Sequence, residues 1–136
     1  MNLRILPLNA AQTRDVYDRW MKTDFPPEEL KPYGSMAQMM AKRWYEPLAL
    51  VEEQTGEMSA YAFQTTVPGC RCALLDYFAV LPTLRGKGAG TAALGALAEH
   101  YAGRMDALII ECEHPAEAPD PEVARRRIGF YLRAGA

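Results

Sequence analysis

Val80-Leu81-Pro82-Thr83-Leu84-Arg85-Gly86-Lys87-Gly88-Ala89-Gly90-Thr91 joins a strand-like run to an alanine-rich helical one. Gly86, Gly88 and Gly90 fall within five residues, which lets the backbone turn tightly and bring its N–H groups close to a ligand. A predicted helix follows directly; its first amides have no intrahelical acceptor, and its dipole favours negative charge at that end. Arg85 and Lys87 add formal positive charge. Arg85–Thr91 is therefore expected to form an anion site suited to a pyrophosphate. Two common nucleotide motifs do not fit. The P-loop requires Lys-Ser/Thr after its last glycine, and the dinucleotide fingerprint would place its third glycine where Thr91 stands. Dinucleotide folds also open on a parallel β-α-β unit, whereas an antiparallel meander precedes this loop.

That meander is read upstream. Leu48–Glu53 and Met58–Val67 flank the turn Gln54-Thr55-Gly56, and Pro68-Gly69 leads into a third run, Arg71–Leu81. Tight turns between such runs imply antiparallel pairing. Further upstream, Asn2–Leu8 alternates as a short first strand. Asn9 with Gln12 predicts a capping box for a first helix, whose apolar face is Val16, Tyr17, Trp20 and Met21. Phe25-Pro26-Pro27 ends that helix because proline removes a donor and restricts the residue before it. A loop with Glu28, Glu29, Lys31 and Tyr33 follows, and Ser35 with Gln38 predicts a second capped helix carrying Met36, Met39, Met40 and Trp44.

Downstream, Leu94, Leu97, Ala98 and Tyr101 form a helical stripe over Thr91–Ala102. Leu108–Glu113 reads as a strand parallel to Arg71–Leu81, as a strand-helix-strand unit normally requires. Asp120-Pro121 marks the N-cap and first position of a last helix to Arg133, with Gly135 at its C′ position. The expected order is β-α-α-β-β-β-α-β-α. It gives an α/β fold with a mixed, mostly antiparallel sheet and flanking helices.

The chain has 136 residues, enough for one domain with one core. With 15 Lys+Arg against 17 Asp+Glu, the net charge is −2, which disfavours nucleic acid as a partner. The longest apolar stretch, Cys72–Leu81, is broken by Asp76 and is half the length of a membrane span. No secretory signal opens the sequence, so the expected location is cytoplasmic. Cys70, Cys72 and Cys112 make neither a zinc-ligand set nor a disulfide framework and are expected to be reduced thiols, buried or at edges.

The glycine loop resembles the acetyl-CoA loop of the GNAT superfamily of N-acetyltransferases, whose Arg/Gln-x-x-Gly-x-Gly/Ala signature is matched by Arg85, Gly88 and Gly90. Leu75–Pro82 looks like that family's run into the loop, and Phe130-Tyr131-Leu132-Arg133-Ala134-Gly135 is similar to its Phe/Leu-Tyr-x-x-x-Gly-Phe motif. The resemblance spans nearly the whole chain. It implies acetyl-CoA as co-substrate, with its pantetheine arm beside Phe78, Ala79 and Val80 and its pyrophosphate on Arg85, Gly86, Lys87, Gly88, Ala89, Gly90 and Thr91. The acceptor it implies is a primary amine of a small molecule or peptide. Two positions depart from the pattern. Ala124 stands where many members carry an asparagine that touches the pantetheine, and the family continues past Gly135 into two further strands, whereas this sequence stops at Ala136. Either further chain or a partner, such as a second copy in a homodimer, is expected to supply those strands, since an exposed edge at Leu108–Glu113 would otherwise be an association hazard.

Direct acetyl transfer needs a base for the ammonium proton and an acid for the departing thiolate. By motif Tyr131 matches the acid; as a plain helical aromatic it would instead pack beside Ile128 and Leu132. The candidate bases are Asp76, Glu111 and Glu113. On an extended strand Glu111 and Glu113 share one face with Cys112 on the other, either beside the acceptor or simply in solvent. Asp76 interrupts an apolar strand, so it has a buried partner or lines a site. His114 reads as a loop residue. Arg125-Arg126-Arg127 reads as a polar helix face from which one guanidinium could reach the nucleotide 3′-phosphate. Gly129, costly inside a helix by about 1 kcal/mol, suggests close approach of a strand or of the cofactor. Acidic Glu28 and Glu29 would suit a cationic amine. The competing reading is a GNAT-like acyl-CoA-binding sensor without efficient turnover.

Overall fold

A computed structural model describes residues 1–136. Five strands, β1 (Leu3–Pro7), β2 (Tyr45–Glu52), β3 (Met58–Thr65), β4 (Cys72–Val80) and β5 (Ala107–Ile110), form one sheet in that order. β1 to β4 pair antiparallel and β4 pairs parallel with β5. This is the mixed, mostly antiparallel α/β architecture expected from the turn chemistry. The helices are α1 (Ala10–Val16), continued by a π turn (Tyr17–Met21) into α2 (Lys22–Asp24), then α3 (Tyr33–Ala41), α4 (Ala89–Tyr101) and α5 (Pro121–Arg133). No helix is long and apolar enough to cross a membrane.

Each face of the sheet carries its own core. Leu48, Leu50, Ala60, Ala62 and Leu75 pack against Leu94, Leu97 and Tyr101 of α4, while Tyr61, Phe63 and Tyr77 pack against Val16, Tyr17, Met21 and Met36 on the other side. Period-2 alternation assigns strand residues to these layers, and β4 departs from it at one place. Phe63 lies opposite Tyr77 and Gln64 opposite Leu75, so Asp76 is an extra residue on β4. The bulge shifts the phase of the strand: Ala73 and Leu75 face α4, as do Phe78 and Val80 beyond it.

Both capping predictions at the outer helices hold, and the middle one does not. Asn9 and Gln12 form a reciprocal capping box on α1, and Asp120 accepts from the amides of Glu122 and Val123 at α5. At the other end of α5, the amides of Gly135 and Ala136 bond the carbonyls of Leu132 and Tyr131, with Gly135 left-handed at φ 106°. α3, by contrast, opens at Tyr33 rather than at Ser35. Pro32 presets the turn, and its carbonyl takes the amides of Ser35 and Met36, so the Ser35/Gln38 box is not used. Trp44 falls outside α3, its amide closing the turn onto Met39. α4 begins two residues before the expected Thr91, Ala98 on its stripe is exposed, and the three cysteines are free thiols, Cys70 and Cys112 exposed and Cys72 half-buried.

The C-terminal end of α4 is tied to β2 through Glu46. Its Oε1 accepts from His100 Nε2 at 2.8 Å and Tyr101 OH at 3.1 Å, and its Oε2 meets Arg104 at 3.3 Å. Burial pushes the Glu46 carboxyl up, but the hydrogen bonds from His100 and Arg104 outweigh it and hold the group below its ordinary value of 4.5. A carboxyl depressed by folding contributes stability above its unfolded value and loses it as pH falls through the folded one. Glu46→Gln is therefore expected to cost about 1–2 kcal/mol at neutral pH. In melting experiments the gap to wild type should close progressively below pH 4.5.

Candidate active site

β4 and β5 separate where the bulge lies. Their pairing ends at Leu75 opposite Ile110, yet β4 continues to Val80. The strand expected over Leu108–Glu113 therefore stops at Ile110, because the next partner would be bulged Asp76, and Glu111 and Glu113 lie in the segment beyond it. The gap opens into a groove of about 950 Å³ walled by Phe78, Ala79 and Val80 on one side and by Val123, Phe130 and Tyr131 of α5 on the other. One-sided strand backbone at Phe78–Val80 suits an extended ligand that carries its own amides.

At the far end of the groove stands the N-terminus of α4. Gly88 is its N-cap, left-handed at φ 82°, and no side chain caps the helix. The first helical amides therefore point outward unpaired, and Gly86, also left-handed at φ 78°, turns the loop so that it borders the same space. Gly90 has a different reason: a β-carbon there would lie 3.0 Å from the ring of Phe130 on α5, which would have to give way to admit it. Thr91 lines the groove, Ala89 is buried beneath it, and Lys87 is exposed outside its lining. The side chain of Arg85 has other work. Its guanidinium bonds Asp24 Oδ1 at 3.1 Å and the Val80 carbonyl at 3.1 Å, which locks the loop to the end of α2. What this end of the groove offers an anion is therefore backbone amides and the helix dipole.

Phe78 and Tyr131 also border a second cavity of about 390 Å³, on which the candidate carboxylates Asp76, Glu111 and Glu113 converge together with Glu29. Asp76 is fully engaged. Lys31 Nζ lies 2.9 and 2.8 Å from its two oxygens, and Tyr45 OH donates to Oδ2 at 2.6 Å. Burial first, and then the charge of Asp76, push the Tyr45 phenol well above its ordinary value, so it stays a donor. Tyr77 completes the clamp, donating to the Glu29 carbonyl at 2.7 Å and accepting the Lys31 amide at 2.9 Å. Asp76 thereby holds the loop that borders the cavity, whereas Glu111 and Glu113 are exposed and form no ion pair. Asp76→Asn is expected to lower stability by about 1–2 kcal/mol, because Lys31 loses its counter-charge and one of the two acceptor oxygens shared with Tyr45 becomes an NH2 donor. Glu111→Gln and Glu113→Gln should change it by less than about 0.5 kcal/mol. Thermal melts of the three variants check this ordering.

Tyr131 stands where the two cavities meet. The chain has seven tyrosines. The hydroxyls of Tyr17, Tyr33, Tyr45, Tyr61, Tyr77 and Tyr101 each donate to a protein acceptor, and that of Tyr131 does not. Burial raises the Tyr131 phenol above its ordinary value, the neighbouring Cys112 adds to the rise, and Arg127 opposes it. Such a group remains protonated at neutral pH and has a proton to give. His114 is a loop residue whose Nδ1 accepts the Ala116 amide. No strand approaches Gly129: a β-carbon there would meet only the flexible guanidinium of Arg133. Sequence reasoning missed the Asp76 bulge and the Lys31–Tyr45–Tyr77 clamp around it. The one available signal for the bulge was Asp76 itself, a charge inside an apolar run.

The sequence pattern of the acetyltransferase (GNAT) family matches residues 13–135. No curated protein sequence matches the chain. Among solved structures, a Bacteroides thetaiotaomicron protein described as a GNAT-family acetyltransferase superposes with a TM-score of 0.76 at 22% identity, covering 97% of this chain and 70% of its own. The ribosomal-protein-S18-alanine N-acetyltransferase of Escherichia coli gives 0.68 at 24% identity, covering 98% and 76%. Glucosamine-6-phosphate N-acetyltransferase of Arabidopsis thaliana gives 0.61 at 14%, covering 100% and 92%. These likenesses establish a shared fold.

Proposed function

The chain belongs to the GNAT acetyltransferase family, and on that premise we propose that it transfers an acetyl group from acetyl-CoA directly to a primary amine of a small molecule or peptide. The observation that carries this reading is the arrangement along one groove. An uncapped helix N-terminus at Gly88 lies at one end and the unpartnered hydroxyl of Tyr131 at the other, with the free edge of Phe78–Val80 between them. The donor's pyrophosphate binds the amides of Gly86–Thr91 without needing a side-chain cation. Its pantetheine arm lies along Phe78–Val80, which brings the thioester to the junction of the two cavities.

The acceptor enters from the cavity lined by Glu29, Glu111 and Glu113. Its neutral nitrogen attacks the thioester carbonyl carbon; a C–N bond forms, the C–S bond breaks, and Tyr131 gives its proton to the departing sulfur. The proton lost by nitrogen leaves through Glu111, Glu113 or water held by them. Asp76 serves as a positioning residue for the Lys31 loop. Relatives of this fold are named for ribosomal-protein alanine and glucosamine-6-phosphate, which supports an amine acceptor as a class.

Release of CoA thiol from acetyl-CoA over a panel of amines tests the reading. Amine-dependent release with one acetylated product per thiol is expected, whereas acetyl-CoA binding without release on any amine would favour the sensor. On the fastest amine, Glu111→Gln or Glu113→Gln should shift or abolish the acidic limb of the rate–pH profile. An unaltered limb in both, and in Asp76→Asn, would reject a carboxylate base.

A further inference from the structure

Arg127 is the residue common to three adjoining cavities: the 950 Å³ groove, the 390 Å³ acceptor cavity and a smaller one of about 160 Å³ beside Glu29 and Glu113. It lies one helical turn before Tyr131 on α5, a spacing that places two side chains side by side on one face. Its neighbours on the helix are not equivalent. Arg125 is paired with Glu122, and Arg126 borders only the groove. Arg127 takes part in none of the ion pairs of the chain although Glu29 and Glu113 border the same cavity. A guanidinium left free among carboxylates, at the point where two ligand-sized spaces meet, is placed for a negative charge that arises only during reaction.

We propose that Arg127 is a positioning residue for the acetyl transfer: it holds its charge against the Tyr131 hydroxyl and stabilises the phenolate left when that hydroxyl protonates the departing CoA sulfur. The inference rests on the reading of Tyr131 as the acid. The step balances: the C–S electron pair stays on sulfur, the phenol proton moves to sulfur, and the negative charge passes to the phenolate beside Arg127. Water then returns a proton to the phenolate. Arg127 is exposed in the open cleft. A pantetheine arm in the groove and an amine in the cavity would displace water from both sides, which strengthens the interaction when it is needed. The charged and titratable groups that share a cavity with Tyr131 are Asp76 and Tyr77 on β4, Glu29 and Lys31 in the loop before α3, Glu111, Cys112 and Glu113 after β5, and, on the groove side, Arg85 and Arg126. Of the other cations, Lys31 is occupied by Asp76 and Arg85 by Asp24, and Arg126 borders the groove but not the acceptor cavity. The direction of Arg127's influence on the Tyr131 phenol, opposing burial, agrees with this role.

The test is a cycle of Arg127→Gln, Tyr131→Phe and the double variant, with Arg127→Lys as the conservative control. CoA thiol release is read with the fastest amine of the panel or, lacking one, with water as acceptor. Arg127→Gln should lower kcat by about 10- to 100-fold, leave KM for acetyl-CoA within about twofold and melt like wild type. Arg127→Lys should recover most of the rate. In the Tyr131→Phe background the Arg127→Gln loss should shrink to less than about twofold, since no phenolate remains to stabilise. An unchanged kcat in Arg127→Gln, a rise in KM alone, or an equal loss in both backgrounds would overturn the proposal while leaving Tyr131 in place. Wild-type turnover in Tyr131→Phe would remove the acid itself, and the proposal with it.

Discussion

Tyr131→Phe is expected to lower turnover by about 10- to 1000-fold, around the usual contribution of one positioned proton donor, while acetyl-CoA binding and thermal stability stay close to wild type. The asymmetry follows from the hydroxyl's surroundings. It has no protein acceptor, so its removal orphans nothing, and the ring keeps its edge-to-face contact with Phe130 at 5.1 Å. A free thiol ionises near 8.5 and a phenol near 10 in water, so a phenol would donate poorly to a solvated thiolate. In the groove, desolvation raises the sulfur's proton affinity as it takes up charge, and the transfer becomes favourable. Tyr45→Phe serves as the contrasting control. It should cost stability, because Tyr45 supplies a 2.6 Å hydrogen bond to Asp76. Steady-state kinetics and melts on both variants check the pair, and equal turnover in wild type and Tyr131→Phe would reduce Tyr131 to a packing residue.

Gly88→Val should weaken acetyl-CoA binding by at least about tenfold and lower stability by about 1–3 kcal/mol. The neighbourhood is open, with no atom within 4 Å of a β-carbon at this position. The cost comes from the backbone. At φ 82° the residue is left-handed, a region that β-branched side chains avoid and that costs an ordinary residue roughly 1–2 kcal/mol. Relief requires the loop to rotate, and rotation turns the amides of Gly86–Thr91 away from the groove. Gly88→Ala, without the β-branch, should lose less. Calorimetry with acetyl-CoA on variants that still fold measures the effect. Unchanged affinity would place the pyrophosphate elsewhere.

The fold was legible because its turns carry their own chemistry. Gly56 and Gly69 are left-handed at φ 76° and 83°, where the sequence places its hairpin turns, and the Gly86–Gly90 loop joins strand to helix as expected. The bulge at Asp76 was not legible, since one extra residue changes the facing of a strand without changing its composition. Misreading β5 followed from the same point. Leu108-Ile109-Ile110-Glu111-Cys112-Glu113 supports a longer strand by pattern, but a strand extends only as far as its partner, and β4 bulges opposite Glu111. The glycines and Tyr131 stood out at the site because their chemistry is local. The Arg85–Asp24 bond was not legible, because the two residues lie 61 apart along the chain. The Lys31–Asp76 pair, 45 residues apart, escaped for the same reason.

A crystal structure of the protein with CoA tests whether one groove aligns the donor from the α4 N-terminus to Tyr131. The expected electron density has the pyrophosphate within about 3.2 Å of the amides between Gly86 and Thr91, the pantetheine amides paired with the free edge of Phe78–Val80, and the sulfur within hydrogen-bonding reach of the Tyr131 hydroxyl. CoA bound with its pyrophosphate away from the α4 N-terminus, or with its sulfur remote from Tyr131, would contradict it.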